Sequence, residues 1–205
     1  MTRGQWRREL RQRRRRLSKA QQALASRKLC RRLAQLPAFW RSQHIGFYLA
    51  NDGEIDPTPL LKVAQRRGKR CYLPVVSGGW PRQQMRLQQL RPGQRWTRNR
   101  FGIREPCSAP RWQVKAWQLD LLLLPLVGFD RQGNRLGMGG GFYDRCLAYR
   151  QRHTRWLRPQ LLGLAHHCQE VPALPIASWD VPLDGIVTDT HSWLLRSGLS
   201  ADTRR

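Results

Sequence analysis

The stretch that most limits how this chain can fold runs from Leu119 to Val127, where leucine and valine crowd together around Asp120 and Pro125. It is far too short to cross a bilayer, which takes about 20 apolar residues in a helix. A short, continuous apolar run is instead the mark of a strand covered on both faces, as in a central parallel strand. A sheet with one wet side would alternate. The rest of the chain must therefore supply helices for two faces of a sheet built around residues 120–126.

The periodicities on either side supply them. Trp6, Leu10 and Leu17 share one face of a helix over residues 3–16, and its many arginines read as a solvated basic face from which one or two could reach a phosphate. Ser18 followed by Gln21 forms a capping box for a second helix, in which Leu29, Cys30, Leu33 and Leu36 keep helical period until Pro37 stops it. Ile45, Phe47 and Leu49 alternate in a first strand from His44 to Ala50, and Asn51-Asp52-Gly53 makes a turn. Thr58 as N-cap and Pro59 at the first helical position open a helix that Gly68 ends, and a second strand runs from Arg70 to Val76. This β-α-β unit predicts a parallel pair. Met85–Leu90 reads as a short edge strand and Phe101–Pro106 as an ordered loop. Tyr143, Cys146, Leu147 and Tyr149 have helical spacing, and Leu161–Ala165 and Gly185–Thr188 read as further strands. The fold expected is a single-domain α/β protein over residues 1–196, a three-layer α/β/α sandwich with a mostly parallel central sheet, followed by a frayed tail at 197–205.

Charge narrows the ligands. The chain of 205 residues carries 38 Lys and Arg against 13 Asp and Glu, a net +25 and an isoelectric point near 11.7. Such a field draws anions. The arginines are scattered along the whole length, and no helix-turn-helix, zinc-finger or RNA-recognition signature accompanies them, so no specific nucleic-acid partner is expected. Cys30, Cys71, Cys107, Cys146 and Cys168 form no CxxC pair and no zinc spacing with histidine, which points to reduced thiols and a cytoplasmic protein with no membrane attachment.

The chemistry gathers around Asn134–Arg145, where four glycines lie within Gly137–Gly141. Bare backbone N–H groups ahead of a helix suit an anion, and a flexible surface turn is the plainer alternative. No Gly-Lys-Ser/Thr follows, so this is not a Walker loop, and the spacing is not that of a dinucleotide fingerprint. Ligands of open α/β sheets collect at the carboxyl ends of strands, and the loop is expected to leave that end of the central strand. Arg135 is placed to bind phosphate oxygens. Asp144 is either an ordinary first-turn carboxylate or a ligand for a nucleotide's Mg²⁺. Glu54 and Asp56 alternate onto one side of an extended segment, as a solvated pair or as acceptors for a heterocycle's N–H groups. Asp180 could add a second metal contact, and His166 and His167 are either acid/base groups or, as the plainer reading, residues at a strand end without special chemistry.

Taken together, Arg135-Leu136-Gly137-Met138-Gly139-Gly140-Gly141-Phe142-Tyr143-Asp144-Arg145, with Arg7-x-x-Leu10-Arg11, Glu54-Ile55-Asp56, Phe101–Pro106, Trp179-Asp180 and Val187-Thr188, resembles the 5-formyltetrahydrofolate cyclo-ligase family nearly end to end. The resemblance implies a monomeric ligase that uses ATP and Mg²⁺ to cyclise 5-formyltetrahydrofolate to 5,10-methenyltetrahydrofolate, releasing ADP and phosphate. It implies that Arg7 and Arg11 touch ATP phosphates. Arg135, Leu136, Gly137, Met138, Gly139, Gly140, Gly141, Phe142 and Tyr143 would wrap the nucleotide, and Met138–Phe142 would also line the folate's reactive end. Asn51, Glu54 and Asp56 would hold the pterin side, Asp144 and Asp180 would bind Mg²⁺, and Arg135 and Tyr143 would act in catalysis. The resemblance also marks departures: Arg7 stands where the family often has lysine, Asp56 where some members have glutamate, and no basic residue lies between Gly137 and Phe142.

Overall fold

The computed structural model describes residues 1–77, 84–152 and 158–195; the tail expected at 197–205 lies outside them. Thr2 caps α1 (Arg3–Arg15) and Ser18 caps α2 (Lys19–Leu33), each through a reciprocal capping box with a glutamine three residues on. The Ser18 box is the one predicted. Pro37 does not simply stop α2. It opens a separate turn, α3 (Pro37–Arg41), where its missing N–H would have no partner in any case.

Strand β1 (His44–Gly46) is shorter than expected, although the Phe47 N–H still bonds to the Tyr72 carbonyl at 2.8 Å. Ile45, Phe47 and Tyr48 are all buried, so the expected alternation gives way to cover on both faces. Asp52 (φ 51°) and Gly53 (φ 76°) turn the chain through left-handed backbone. Helix α4 (Thr58–Arg66) starts one residue earlier than predicted, with Pro57 at the N-cap. β2 (Arg70–Ser77) lies parallel to β1, as the β-α-β reading required.

β3 (Gln84–Gln89) is not an edge strand. It pairs antiparallel with β2 on one side and, on the other, with β6 (Gln113–Val114). Part of the loop expected at Phe101–Pro106 is a strand, β5 (Arg104–Pro106), paired with β4 (Trp96–Arg98) in a small arm. The leucine run forms β7 (Leu121–Pro125), parallel to β1 on one side and to β10 (Gln160–Ala165) on the other. Downstream, β8 (Gly128–Phe129) and β9 (Arg135–Leu136) make a hairpin, α5 (Phe142–Leu147) and α6 (Tyr149–Arg152) follow, and β11 (Gly185–Thr188) and β12 (Ser192–Leu194) close the sheet. The order is β12-β11-β10-β7-β1-β2-β3-β6, parallel from β11 to β2 and antiparallel at both margins.

The leucines explain the layers. Leu121 and Leu123 enter one core with Leu29, Leu33, Phe39 and Leu60 from α2, α3 and α4, while Leu122 and Leu124 enter the other with Leu147 of α5. Each is essentially inaccessible, and burying such a side chain contributes about 1.5–3 kcal/mol. Gly46 of β1 is required at this crossing, because a Cβ there would sit 2.5 Å from a Leu122 methyl. Helix α1 belongs to neither face. Its Leu10 packs with Val127, Leu136, Val171 and Leu174, which sets the helix across the carboxyl ends of the strands. No helix among the described residues is long and apolar enough to cross a membrane.

Candidate active site

The parallel strands end in a cleft of about 670 Å³, walled by α1, the β1–α4 loop, the β4–β5 arm and the glycine loop. The glycine loop does not leave β7 directly, as the sequence suggested. The β8–β9 hairpin intervenes, held by Asp130, whose carboxylate accepts N–H groups from Gln132 (3.1 Å), Asn134 (3.1 Å) and Leu174 (3.0 Å). The loop still reaches the carboxyl edge. Gly139 (φ 101°) and Gly141 (φ 61°) adopt backbone that other residues resist, and the Arg7 guanidinium carbon lies in ordinary contact range, 3.5 Å, of where a Gly139 Cβ would stand.

Arg7 Nε donates to the Gly137 carbonyl at 2.9 Å, and among the described residues Arg7 has no carboxylate partner. Burial, then the nearby Arg3, lower its pKa, so the pair of guanidinium groups favours an incoming anion. Arg135 is buried beneath the loop, with Nη2 donating to Asp144 Oδ1 at 2.6 Å. Among the described residues its Nε has no partner, an unmet donor of the kind a bound oxyanion satisfies. Met138, Gly139, Gly140, Gly141, Phe142, Tyr143 and Asp144 line the cleft beside it. Leu136 does not, because its side chain is in the core under α1.

Asp180 faces the same cleft and is held by Arg3 in a two-pronged pair at 2.5 and 3.0 Å, with the Ala177 N–H at 2.8 Å. Burial opposes its charge, but Arg3 outweighs it and keeps the carboxyl below its ordinary range. Thus both carboxylates expected to hold a metal, Asp144 and Asp180, are engaged by arginine, and no group of three metal-type ligands occurs among the described residues. A hard-oxygen donor set of one or two carboxylates still suits Mg²⁺, which takes its remaining ligands from phosphate and water.

Across the cleft, Asn51 is exposed at the lip and Glu54 is mostly buried, its side chain 12% accessible. Glu54 Oε2 accepts the Asn51 N–H at 3.1 Å, and burial pushes its pKa up to about 7 despite Arg14 at 4.0 Å. Burial and then Glu54 also raise the phenol of Tyr143, so both roles assigned across the cleft meet at one place. Asp56 is a correction. Its carboxylate turns away to accept the Thr58 N–H (2.9 Å) and hydroxyl (2.5 Å) at the start of α4, and it does not line the cleft. The expected alternation fails because the unmet N–H groups of a helix start capture a nearby carboxylate.

Arg11 lines the cleft but donates Nε to Asp52 Oδ2 at 2.8 Å. Sequence reasoning missed Asp52, which also accepts Arg14 Nη2 (2.8 Å) and Arg15 Nε (2.6 Å). Burial opposes its ionisation, yet Arg11, Arg15 and Arg14 hold its pKa at about 2. Arg14, taken as part of a solvated face, is wholly buried. It donates to the Asp52 carbonyl (2.8 Å) and the Leu126 carbonyl (3.3 Å) and reaches Met138 Sδ (3.9 Å). It therefore ties α1 to the β1–α4 loop, the end of β7 and the glycine loop at once. A signal was present: positions 3, 7, 10, 11 and 14 share one helical face, so Leu10 carries Arg3, Arg7, Arg11 and Arg14 inward with it. His166 sits at a strand end as expected, with Nε2 3.2 Å from the Gly53 carbonyl, but it is buried and its Nδ1 has no partner.

Known proteins share this sequence pattern and fold over most of the chain. The model of the 5-formyltetrahydrofolate cyclo-ligase family matches residues 1–189. The 5-formyltetrahydrofolate cyclo-ligase of Escherichia coli K12 is 38% identical over 187 residues, covering 90% of this chain and 98% of its own. That of Haemophilus influenzae is 37% identical over 187 residues, covering 90% and 96%. The solved structure of Aquifex aeolicus 5,10-methenyltetrahydrofolate synthetase superposes with a TM-score of 0.81 at 30% identity, covering 98% of this chain and 97% of that one. A family match over residues 1–189, with relatives aligned over nine-tenths of the chain and a fold shared nearly end to end, places the protein: the chain belongs to the 5-formyltetrahydrofolate cyclo-ligase family.

Proposed function

We propose that this cleft converts 5-formyltetrahydrofolate to 5,10-methenyltetrahydrofolate with ATP and Mg²⁺, in a monomeric cytoplasmic enzyme. The observation that carries the reading is the meeting, in one cleft, of an arginine-backed glycine loop with a mostly buried glutamate. The first suits polyphosphate and the second suits the N–H groups of a pterin. The orphan Arg135 Nε supports an anion at the loop.

The chemistry asks for such a pairing. A formyl oxygen is a poor leaving group until it accepts the γ-phosphoryl group. The folate N10 can then attack the formyl carbon, phosphate departs with the oxygen, N10 gives up its proton, and the methenyl bridge remains. The chain supplies no covalent nucleophile to this sequence. Its residues position the partners and neutralise charge. Arg7 and Arg135 would hold phosphate oxygens against the bare N–H groups of Gly139–Gly141, and Arg11 would assist from the same helix face. Asn51 and Glu54 would orient the pterin so that its formyl group meets the loop at Met138–Phe142, with Tyr143 behind it. Asp144 and Asp180 would hold Mg²⁺, which when bound offsets the charge of the phosphates. The test is turnover: purified protein with ATP and Mg²⁺ is expected to yield a product with the absorbance of the methenyl form. Folded protein that gives none would overturn the reading.

Glu54 gives a second expectation. Ionised, it offers both oxygens and a negative charge to N–H donors, whereas protonation turns one oxygen into a donor, so kcat/KM for the folate should fall as pH drops through about 7. The effect on stability has the opposite sense. The folded state keeps the Glu54 proton up to about 7, the unfolded chain loses it near 4.5, and stability therefore falls as pH rises between the two. Glu54→Gln should remove the acid limb of the rate profile, cut kcat/KM, and raise the melting temperature at pH 8. A variant that loses stability along with activity would make Glu54 a structural residue.

A further inference from the structure

The sequence scatters its positive charge, but the fold sorts the negative. Twelve of the acidic residues lie in described positions, and none is classed as exposed; Glu9 is the most open of those that make ion pairs, with its side chain 43% accessible and held by Arg13. The others sit in the cleft, in buried pairs such as Arg150–Asp184, or at turns and caps. What remains outside is positive.

One layer is more extreme than the rest. Helices α2, α3 and α4 cover a single face of the sheet, and the sequence has no acidic residue between Glu9 and Asp52 or between Asp56 and Glu105. Arg27, Lys28 and Arg31 on α2 and Lys62, Arg66 and Arg67 at α4 are all exposed, and none forms an ion pair among the described residues. Among them Trp40 is 42% exposed, with the Arg67 guanidinium 4.5 Å from its ring centroid. Only five of the 38 cations are lysine (Lys19, Lys28, Lys62, Lys69 and Lys115), so the surface is chiefly guanidinium. Planar guanidinium groups take phosphate oxygens two at a time and stack on bases, as does an open indole. Little on this layer would enter a lipid surface, since Leu24 and Trp40 are its large exposed apolar side chains.

We propose that the α2–α4 face binds single-stranded RNA through its phosphates, without reading sequence, while the cleft at the carboxyl edge stays open to its own ligands. This inference goes beyond the cyclisation reaction and does not depend on it. Exposed cations on a helical layer that carries no acidic residue act as an electrostatic track, and the Arg67–Trp40 stack offers a platform for a base. If about five phosphates are neutralised, affinity for a single strand should fall about a hundredfold between about 50 and about 200 mM salt.

The experiment is fluorescence anisotropy with the full chain and a labelled mixed-sequence RNA of about 20 nucleotides, a length that comfortably exceeds one single-strand site. The combined variant Arg27→Gln, Lys28→Gln, Arg31→Gln, Lys62→Gln and Arg66→Gln is expected to bind at least tenfold more weakly, with a shallower salt slope and unchanged cyclisation activity. A control variant, Arg91→Gln with Arg111→Gln, removes charge from β3 onward and should bind like the parent. Saturating ATP should not displace the RNA. The proposal is overturned by any of four results: no binding at low salt, equal loss in the control variant, displacement by ATP, or binding to anionic phosphatidylserine vesicles that exceeds binding to RNA.

Discussion

Asp52→Asn is expected to destabilise the protein by about 3–5 kcal/mol, the cost typical of leaving one member of a buried ion pair without its partner. Arg14 has no accessible surface and would keep its charge, with Glu54 at 4.0 Å as its nearest remaining carboxylate. Asparagine is the right substitution because it tolerates the left-handed backbone at φ 51°, so the loss reports charge rather than strain. The wild-type carboxyl titrates at about 2 when folded and near 3.8 otherwise. Its stabilisation is therefore complete above about pH 4 and disappears as pH falls through about 2, and the variant should lack this acid-sensitive component. Chemical denaturation from pH 3 to pH 7 would check both expectations. A change below 1 kcal/mol would show that the Asp52 carboxylate contributes little to holding α1. Because Arg14 touches both sides of the cleft, the surviving folded fraction should also show a raised KM for both substrates.

The second large effect belongs to Arg135. Removing a preorganised donor from a site where charge develops commonly costs about 10²–10³-fold in kcat, and Arg135→Gln is expected to fall in that range or beyond. Arg135→Lys keeps the charge and loses the paired geometry, so it should recover only part of the rate. Asp144→Ala distinguishes support from chemistry, since it removes the carboxylate that orients Arg135 through the 2.6 Å bond. Activity lost far in excess of thermal stability would place Asp144 in the reaction, whereas equal losses would make it structural.

Much of the architecture was legible beforehand. The leucine run required two covered faces, the β-α-β spacing required a parallel pair, and Ser18-x-x-Gln21 marked a helix start. Each is a local pattern whose physical cause, burial or a backbone hydrogen bond, acts within a few residues. The glycine loop was equally visible, because φ values of 101° and 61° at Gly139 and Gly141 leave little choice of residue. Less could be read where a distant group competes. Met85–Leu90 looked like an edge until two residues from far downstream, Gln113 and Val114, paired with its outer side. Asp56 looked like a site residue until the start of α4 captured its carboxylate. Leu136 stands inside the loop motif, yet an apolar side chain next to Leu10 is more stable in the core than in the cleft.

By itself the sequence determined the three layers, the central strand and the glycine cradle, since periodicity and backbone preference are properties of short segments. Only the tertiary structure decided the fate of the charges. Arg14 and Arg15 stand side by side in one arginine run, yet Arg14 is fully buried on Asp52 while the Arg15 side chain remains 53% exposed. The reason is physical: a helix assigns neighbouring residues to different faces, so two cations that share the Asp52 carboxylate differ in burial according to which face the fold covers.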